Sequence, residues 1–198
     1  MDYTQIAPHT LSPRIDREAY TPFENMETRN GLQTLLEIPL MLWALRIPLG
    51  GRLLEIGCGR GIAIPVFEKR LHPSAIVGVD IDATLLEEAE SRAAGLSGEV
   101  SFMQGDVRAL AVESRSFDLV VDFGTCYHVS GGEDGARAAL GEVARVLKPG
   151  GLFVHESPIA QHLAHPVRSF GRSLPWSAVP HLVRHRAALL WCARRKAP

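Results

Sequence analysis

The run Leu53-Leu54-Glu55-Ile56-Gly57-Cys58-Gly59-Arg60-Gly61 carries a carboxylate near the end of an apolar segment and then three glycines at alternate positions. Glycines so spaced let a backbone turn tightly and approach a ligand without Cβ atoms in the way. A second apolar run, Ala75 to Val79, ends in Asp80, whose two oxygens can accept both hydroxyls of a ribose. A strand, a glycine turn, a helix and a second strand closed by a carboxylate make one nucleotide-binding half of a doubly wound sheet, with the ligand at the carboxyl ends of the strands. Dinucleotide sites usually carry G-x-G-x-x-G, which sets a helix N-terminus against a pyrophosphate. Here the spacing is G-x-G-x-G, and Glu55 would sit poorly beside phosphates and well beside a cation. S-adenosylmethionine has no phosphate and carries a sulfonium and an ammonium.

Three further motifs follow in order: Gly105-Asp106-Val107, then Phe117 to Val129 (FDLVVDFGTCYHV), then Leu147 to Phe153 (LKPGGLF). With LLEIGCGRG and VGVDID they resemble the ordered motifs of class I S-adenosylmethionine-dependent methyltransferases. The chain is similar to the small, broad methyltransferase-domain family that includes ubiquinone/menaquinone-type enzymes, closely so over roughly residues 50 to 157. The resemblance implies an α/β, doubly wound Rossmann-like fold with a seven-stranded, mostly parallel sheet and an antiparallel last strand. It implies S-adenosylmethionine as cofactor and S-adenosylhomocysteine as product. The cofactor set is then Glu55, Gly57, Cys58, Gly59, Gly61, Asp80, Ile81, Asp106, Val107, Asp122 and Phe123. In it Asp106 accepts from the adenine amine, the Val107 amide meets the ring, and Ile81 offers the ring an apolar face. Asp122 and Phe123 fall beside the methionine portion, with Asp122 holding the ammonium or lining the substrate pocket. Asp118 is the structural acid, and Glu55 orients the loop and reaches the ammonium through water.

Methyl transfer is an in-line displacement on an already activated carbon, so approach geometry and a dry pocket matter most. A base is needed only when the acceptor must lose a proton. His128 follows the fourth strand and has the titration range for that task, or is simply a loop residue. Tyr127 is a candidate substrate-pocket wall. Tyr20, Phe23, Met26, Trp43, Phe170 and Trp176 are candidates to roof an apolar acceptor pocket, Trp43 equally to cover the core. No His, Cys, Asp or Glu constellation has metal-ligand spacing. With no large inserted domain, the expected acceptor is a small apolar or aromatic molecule. Two other readings are a non-catalytic S-adenosylmethionine-binding partner subunit and a nicotinamide-dependent oxidoreductase; the glycine spacing disfavours the second.

The elements that must hold these residues alternate, which calls for a parallel sheet with right-handed crossovers. Strands are expected near 52–56, 75–80, 100–104, 117–122 and 152–156. Helices are expected near 24–37, 40–46, 61–71, 83–94 and 135–147, with Asp82 as N-cap of the fourth. Beyond Glu156 a helix over 161–170 and a hairpin of 179–186 with 188–194 complete the reading. One domain is expected, with a helical cap (1–48), a cofactor-binding core (49–157) and a C-terminal helix and hairpin (158–198).

A chain of 198 residues with 46% hydrophobic and 22% charged residues is ordinary for one globular domain with a single core. No secretory leader is visible, and the apolar stretch 38–49 is interrupted by Pro39, Arg46 and Pro48, so no integral membrane segment is expected. Cys58, Cys126 and Cys192 are scattered, as suits a reducing cytoplasm. Seven of the 21 basic residues and none of the 22 acidic ones follow Glu156. Such an end suits an anionic partner or a solvated surface; no nucleic-acid-reading motif accompanies it.

Overall fold

The structure, a computed structural model, describes residues 26–127, 129–158, 176–178, 183–185 and 188–195. Two short helices come first, α1 (Met26–Leu32) and α2 (Ile38–Ala44), joined by one wide π-helical turn, Gln33–Glu37. Pro39 does not separate them, contrary to the break expected there. It sits in the first turn of α2, where a missing N–H costs no hydrogen bond, directly after the turn that has already shifted the helical register.

The parallel core follows: β1 (Arg52–Ile56), α3 (Ile64–Leu71), β2 (Ala75–Asp80), α4 (Ala83–Ala93), β3 (Val100–Gln104), β4 (Phe117–Asp122), α5 (Gly132–Val146) and β5 (Leu147–Pro158). The first four strands fall where the sequence predicts: β1, β2 and β4, largely buried, read as hydrophobic segments, while β3 at the sheet edge stays partly exposed. The fifth begins five residues early. Lys148-Pro149-Gly150-Gly151 is absorbed within the strand, as a register shift where Phe117 faces Leu147 and Leu119 faces Leu152. Three more segments follow: β6 (Trp176–Ala178), β7 (Val183–His185) and β8 (Ala188–Arg195). β8 runs antiparallel to β5, and β6 and β7 both pair with β8. The described residues thus hold eight strand segments where seven strands were expected, since β6 was not foreseen. The expected 161–170 helix lies outside the described residues.

The five parallel strands lie in the order β3-β2-β1-β4-β5. Chain direction across the sheet reverses between β1 and β4, and the carboxyl edge at that switch is where open α/β sheets bind ligands. Register brings the edge residues level, with Ile56 beside Val79 on one side and Asp122 on the other. Period-two alternation sends Leu54, Ile56, Val120 and Phe153 to one face, under Ala136, Leu140 and Val143 of α5. Leu53, Ile76, Val121 and Val154 take the other, under Ile64, Phe67 and Leu71 of α3 and Ile38, Met41 and Leu42 of α2. At the opposite edge Asp118 Oδ2 accepts from Arg52 N–H at 2.8 Å and Lys148 Nζ at 2.7 Å, a clasp remote from the switch point.

Candidate functional site

The loop after β1 bends through three left-handed glycines, with φ of +64° at Gly57, +50° at Gly59 and +67° at Gly61. They serve different ends. A Cβ on Gly57 would lie 1.7 Å from Thr125 Oγ1, and one on Gly61 would lie 2.9 Å from Ala89 Cβ on α4. Both are therefore glycine because protein packs there. Only at Gly59 is the space open, its nearest neighbour being Leu85 Cδ1 at 3.9 Å, so Gly59 is the position where a ligand can meet bare backbone. Cys58 donates its N–H to the Val79 carbonyl at 3.0 Å, and its thiol is buried. Burial, with the charges of Glu55 and Asp80, keeps that thiol protonated, so Cys58 is loop packing and not a nucleophile.

Asp80 ties the loop to the end of β2. Its Oδ2 accepts from Gly59 N–H at 2.7 Å and its Oδ1 from Asp82 N–H at 3.0 Å. Each oxygen keeps a second acceptor site, which is what a pair of ribose hydroxyls requires. Asp82 is the helix cap, accepting from Thr84 and Leu85 N–H at 3.0 and 3.4 Å, so capping does not compete for Asp80. Between them Ile81 is 63% exposed, an apolar surface beside the carboxylate.

Glu55 lies under the loop, almost wholly buried, and its Oε2 has no hydrogen-bond partner among the described residues. Burial first, then the negative charges of Asp80 and Asp122, pushes its carboxyl up to about 8. A buried, unpartnered carboxyl facing two like charges is costly unless a cation joins it. These residues fit S-adenosylmethionine: bare backbone at Gly59, ribose acceptors at Asp80, an apolar shelf at Ile81 and acceptors for an ammonium around Glu55.

Asp122 does something other than what its position at the end of β4 suggests. Its side chain has no exposure. Alternation turns it inward beside His155, its register partner on β5, with His155 Nδ1 2.6 Å from Asp122 Oδ2. Thr125 N–H donates to Oδ1 at 2.6 Å and Cys126 N–H to Oδ2 at 3.3 Å. Burial works to raise this carboxyl, yet the facing histidine and these hydrogen bonds hold it below the ordinary carboxylate value. The same alternation sends Phe123 to the other face, where its ring stacks on Phe67 with centroids 6.3 Å apart. Phe123 is therefore packed on α3 instead of lying beside a ligand through its ring.

The short 3₁₀ turn Thr125–Tyr127 that follows is pinned to the glycine loop, because Thr125 Oγ1 donates to the Ile56 carbonyl at 3.1 Å. It carries Tyr127 at the switch-point edge; His128 lies outside the described residues. Thr125 and His155 escaped the sequence reading because their roles depend on which strand lies beside which. A histidine directly after the apolar run Leu152–Val154 was the one available signal.

Gly105 N–H donates to the Asp80 carbonyl at 2.9 Å, which brings the end of β3 to the same edge. Asp106, expected to accept from adenine, is gripped by Arg108, whose Nε lies 2.9 and 3.0 Å from its two oxygens. Arg108 Nη1 reaches on to the carbonyl and hydroxyl of Ser130 at 3.0 and 2.8 Å, tying this loop to the segment before α5. Val107 is buried in the core. Of the suggested roof, Tyr20, Phe23 and Phe170 lie outside the described residues. Trp43 is 76% exposed at the end of α2, so it does not cover the core. A hollow of about 740 Å³ lies between α1 and α3, lined by Thr34, Leu35, Arg60, Ile62 and Lys69 among others, and by none of the expected cofactor residues.

The methyltransferase-domain family matches residues 53–151, half of the chain. The chain is 35% identical over 114 residues to a phthiotriol/phenolphthiotriol dimycocerosates methyltransferase of Mycobacterium tuberculosis, a match covering 56% of this chain and 39% of that protein. It thus spans about two-fifths of the length of such curated relatives. A SAM-dependent methyltransferase from Aquifex aeolicus superposes with a TM-score of 0.72 over 93% of this chain and 99% of its own, at 14% identity, which speaks to fold alone. The cyclase SpnF superposes with a TM-score of 0.54 at 27% identity, over 61% of this chain and 43% of its own.

Proposed function

Because the chain belongs to the methyltransferase-domain family of class I enzymes, we propose that it moves a methyl group from S-adenosylmethionine to a small apolar or aromatic acceptor. The observation that carries this reading is the clasp at the switch point. Asp80 holds the open glycine of the loop at 2.7 Å, with an unpartnered buried carboxyl, Glu55, beneath it. When bound, S-adenosylmethionine supplies an electrophilic methyl whose leaving group is activated by its positive charge. Asp80 would hold the ribose, Gly59 would let the backbone come close, and Ile81 would support the adenine. Glu55 would receive the ammonium, its own charge stabilised by that contact. The Asp122–His155 pair holds the turn that presents Tyr127 on the acceptor side. His128, next along the chain, would take a proton where the acceptor is a hydroxyl.

The reading includes the antiparallel last strand of the sheet, supported by β8 running against β5. It also includes one domain and a cytoplasmic setting. No described helix is long and apolar enough to cross a membrane. Incubation with methyl-labelled S-adenosylmethionine and a panel of phenols, quinols, indoles and amines, read by mass, tests the reaction. A labelled product formed in step with S-adenosylhomocysteine supports it. Cofactor binding without transfer to any acceptor favours the partner-subunit reading.

A further inference from the structure

Glu55 is the acid of a strand that is otherwise apolar after Arg52, and only 4% of it is exposed. Alternation puts it on the face of Leu53, beneath α3 and α2. Its neighbours across the sheet are Gly78 on β2 and Val121 on β4, neither of which has a side-chain donor. From α3, Ile64, Phe67 and Leu71 pack on this face, while Lys69 and Arg70 are exposed. Glu68 of α3 is taken up by Ser97 and Gly98 N–H, each at 2.8 Å. α2 has no charged residue. In the glycine loop the Cys58 thiol is buried, and Arg60 pairs with Glu88 at 3.1 Å. The charges that act on Glu55 are therefore Asp80 at the end of β2 and Asp122 at the end of β4, both negative. Asp122 already has a partner in His155 of β5, at 2.6 Å.

Burial, an Oε2 with no hydrogen-bond partner among the described residues and two facing carboxylates all oppose a negative charge here. A carboxyl so enclosed keeps its proton at neutral pH, in line with its being pushed up to about 8. An arriving cation reverses the balance, because an opposite charge at close range favours the ionised carboxyl. The two cannot coexist in their preferred forms without a proton leaving.

We propose that cofactor binding is an exchange at Glu55, in which the carboxyl gives its proton to solvent and takes the α-ammonium of the ligand in its place. The carboxyl O–H bond breaks, the proton passes to water and buffer, and the carboxylate left behind pairs with the ammonium. A neutral acid is thus replaced by a neutral ion pair, and no net charge is added beside Asp80 and Asp122. The exchange rests on the S-adenosylmethionine reading above, and its test separates the two. S-adenosylhomocysteine carries the same ammonium without the sulfonium, so it isolates this contact. Titration calorimetry of the full chain with S-adenosylhomocysteine in phosphate and in imidazole, buffers of different ionisation enthalpy, counts the protons released. About one proton per ligand is expected near pH 7, below the usual α-amino range, with affinity rising about tenfold per pH unit up to there. Glu55→Gln, which has no proton to give, should release none and bind with a flat pH dependence. 5′-Methylthioadenosine, which keeps the adenosine and lacks the ammonium, should release none from the unaltered chain, a control that holds even where the variant folds poorly. Binding of S-adenosylhomocysteine without proton release overturns the exchange and leaves the cofactor reading standing. Equal release by Glu55→Gln, or by 5′-methylthioadenosine, also overturns it, because another group or contact would then be responsible. No binding of S-adenosylhomocysteine at any pH overturns the cofactor reading and the exchange with it.

Discussion

Asp80 and Glu55 carry opposite kinds of information. Asp80 is satisfied by backbone on both oxygens and still has acceptor sites to give, so removing it should cost twice. Asp80→Ala should weaken S-adenosylhomocysteine binding by about 1.5–3 kcal/mol and lower stability by about 1–3 kcal/mol, the weights of hydrogen bonds to a charged group. Titration calorimetry and denaturant unfolding read the two separately. A stability loss with unchanged affinity would mean that Asp80 is only a loop clasp. Glu55 is the unsatisfied one. In the folded chain it keeps its proton up to about pH 8, whereas its ordinary value is 4.5. Between those values the folded state binds the extra proton, so stability must fall as pH rises, by up to about 1.4 kcal/mol per pH unit. Glu55→Gln, which cannot ionise, should flatten the decline in unfolding free energy between pH 5 and 8. Parallel slopes in the two proteins would show that Glu55 is not the group responsible.

At the scale of elements, the end of β4 is a lock between the glycine loop after β1 and the 3₁₀ turn Thr125–Tyr127. Asp122, bonded to His155 and to two backbone amides with no exposure, is the bolt. Asp122→Ala leaves those donors buried and unpaired, and about 3–5 kcal/mol of stability should go with it in a urea titration. Gly57 is the strike plate. Gly57→Ala drives a Cβ into Thr125, whose Oγ1, Cβ and Cγ2 would lie 1.7, 2.7 and 2.8 Å away. Combining it with Thr125→Gly removes all three atoms, so the double variant should recover most of the loss and retain about 1–2 kcal/mol of left-handed backbone strain. Additive losses in that cycle would deny the contact. These pairings explain what could be read in advance and what could not. Buried parallel strands announce themselves as apolar runs, and Asp82 announces a helix start. Alternation along β4 then turns Asp122 and Phe123 away from the edge that their place in the motif suggests. That inward turn becomes visible only once β5 supplies His155 and α3 supplies Phe67. Arg108 sits two residues from Asp106 and was overlooked although local; an arginine beside a motif aspartate is reason to ask whether the acid is already taken.

For the molecule as a whole, the strand order β3-β2-β1-β4-β5 gathers Gly59, Asp80 and Glu55 at one edge of the sheet, and the family match covers that same stretch. The first two strands and the glycine turn make this edge legible from the sequence. The flanks were less legible because their apolar residues serve two surfaces: α1–α2 buries one stripe and exposes another, which a single hydrophobic pattern does not separate. This edge should take S-adenosylmethionine and not a dinucleotide. Titration calorimetry of the full chain with S-adenosylhomocysteine and, separately, with NAD tests it most directly. Micromolar binding of S-adenosylhomocysteine, lost or strongly weakened in Asp80→Ala, with no heat from NAD, is the predicted result. Tight NAD binding with no response to S-adenosylhomocysteine would mean that the edge is a dinucleotide site.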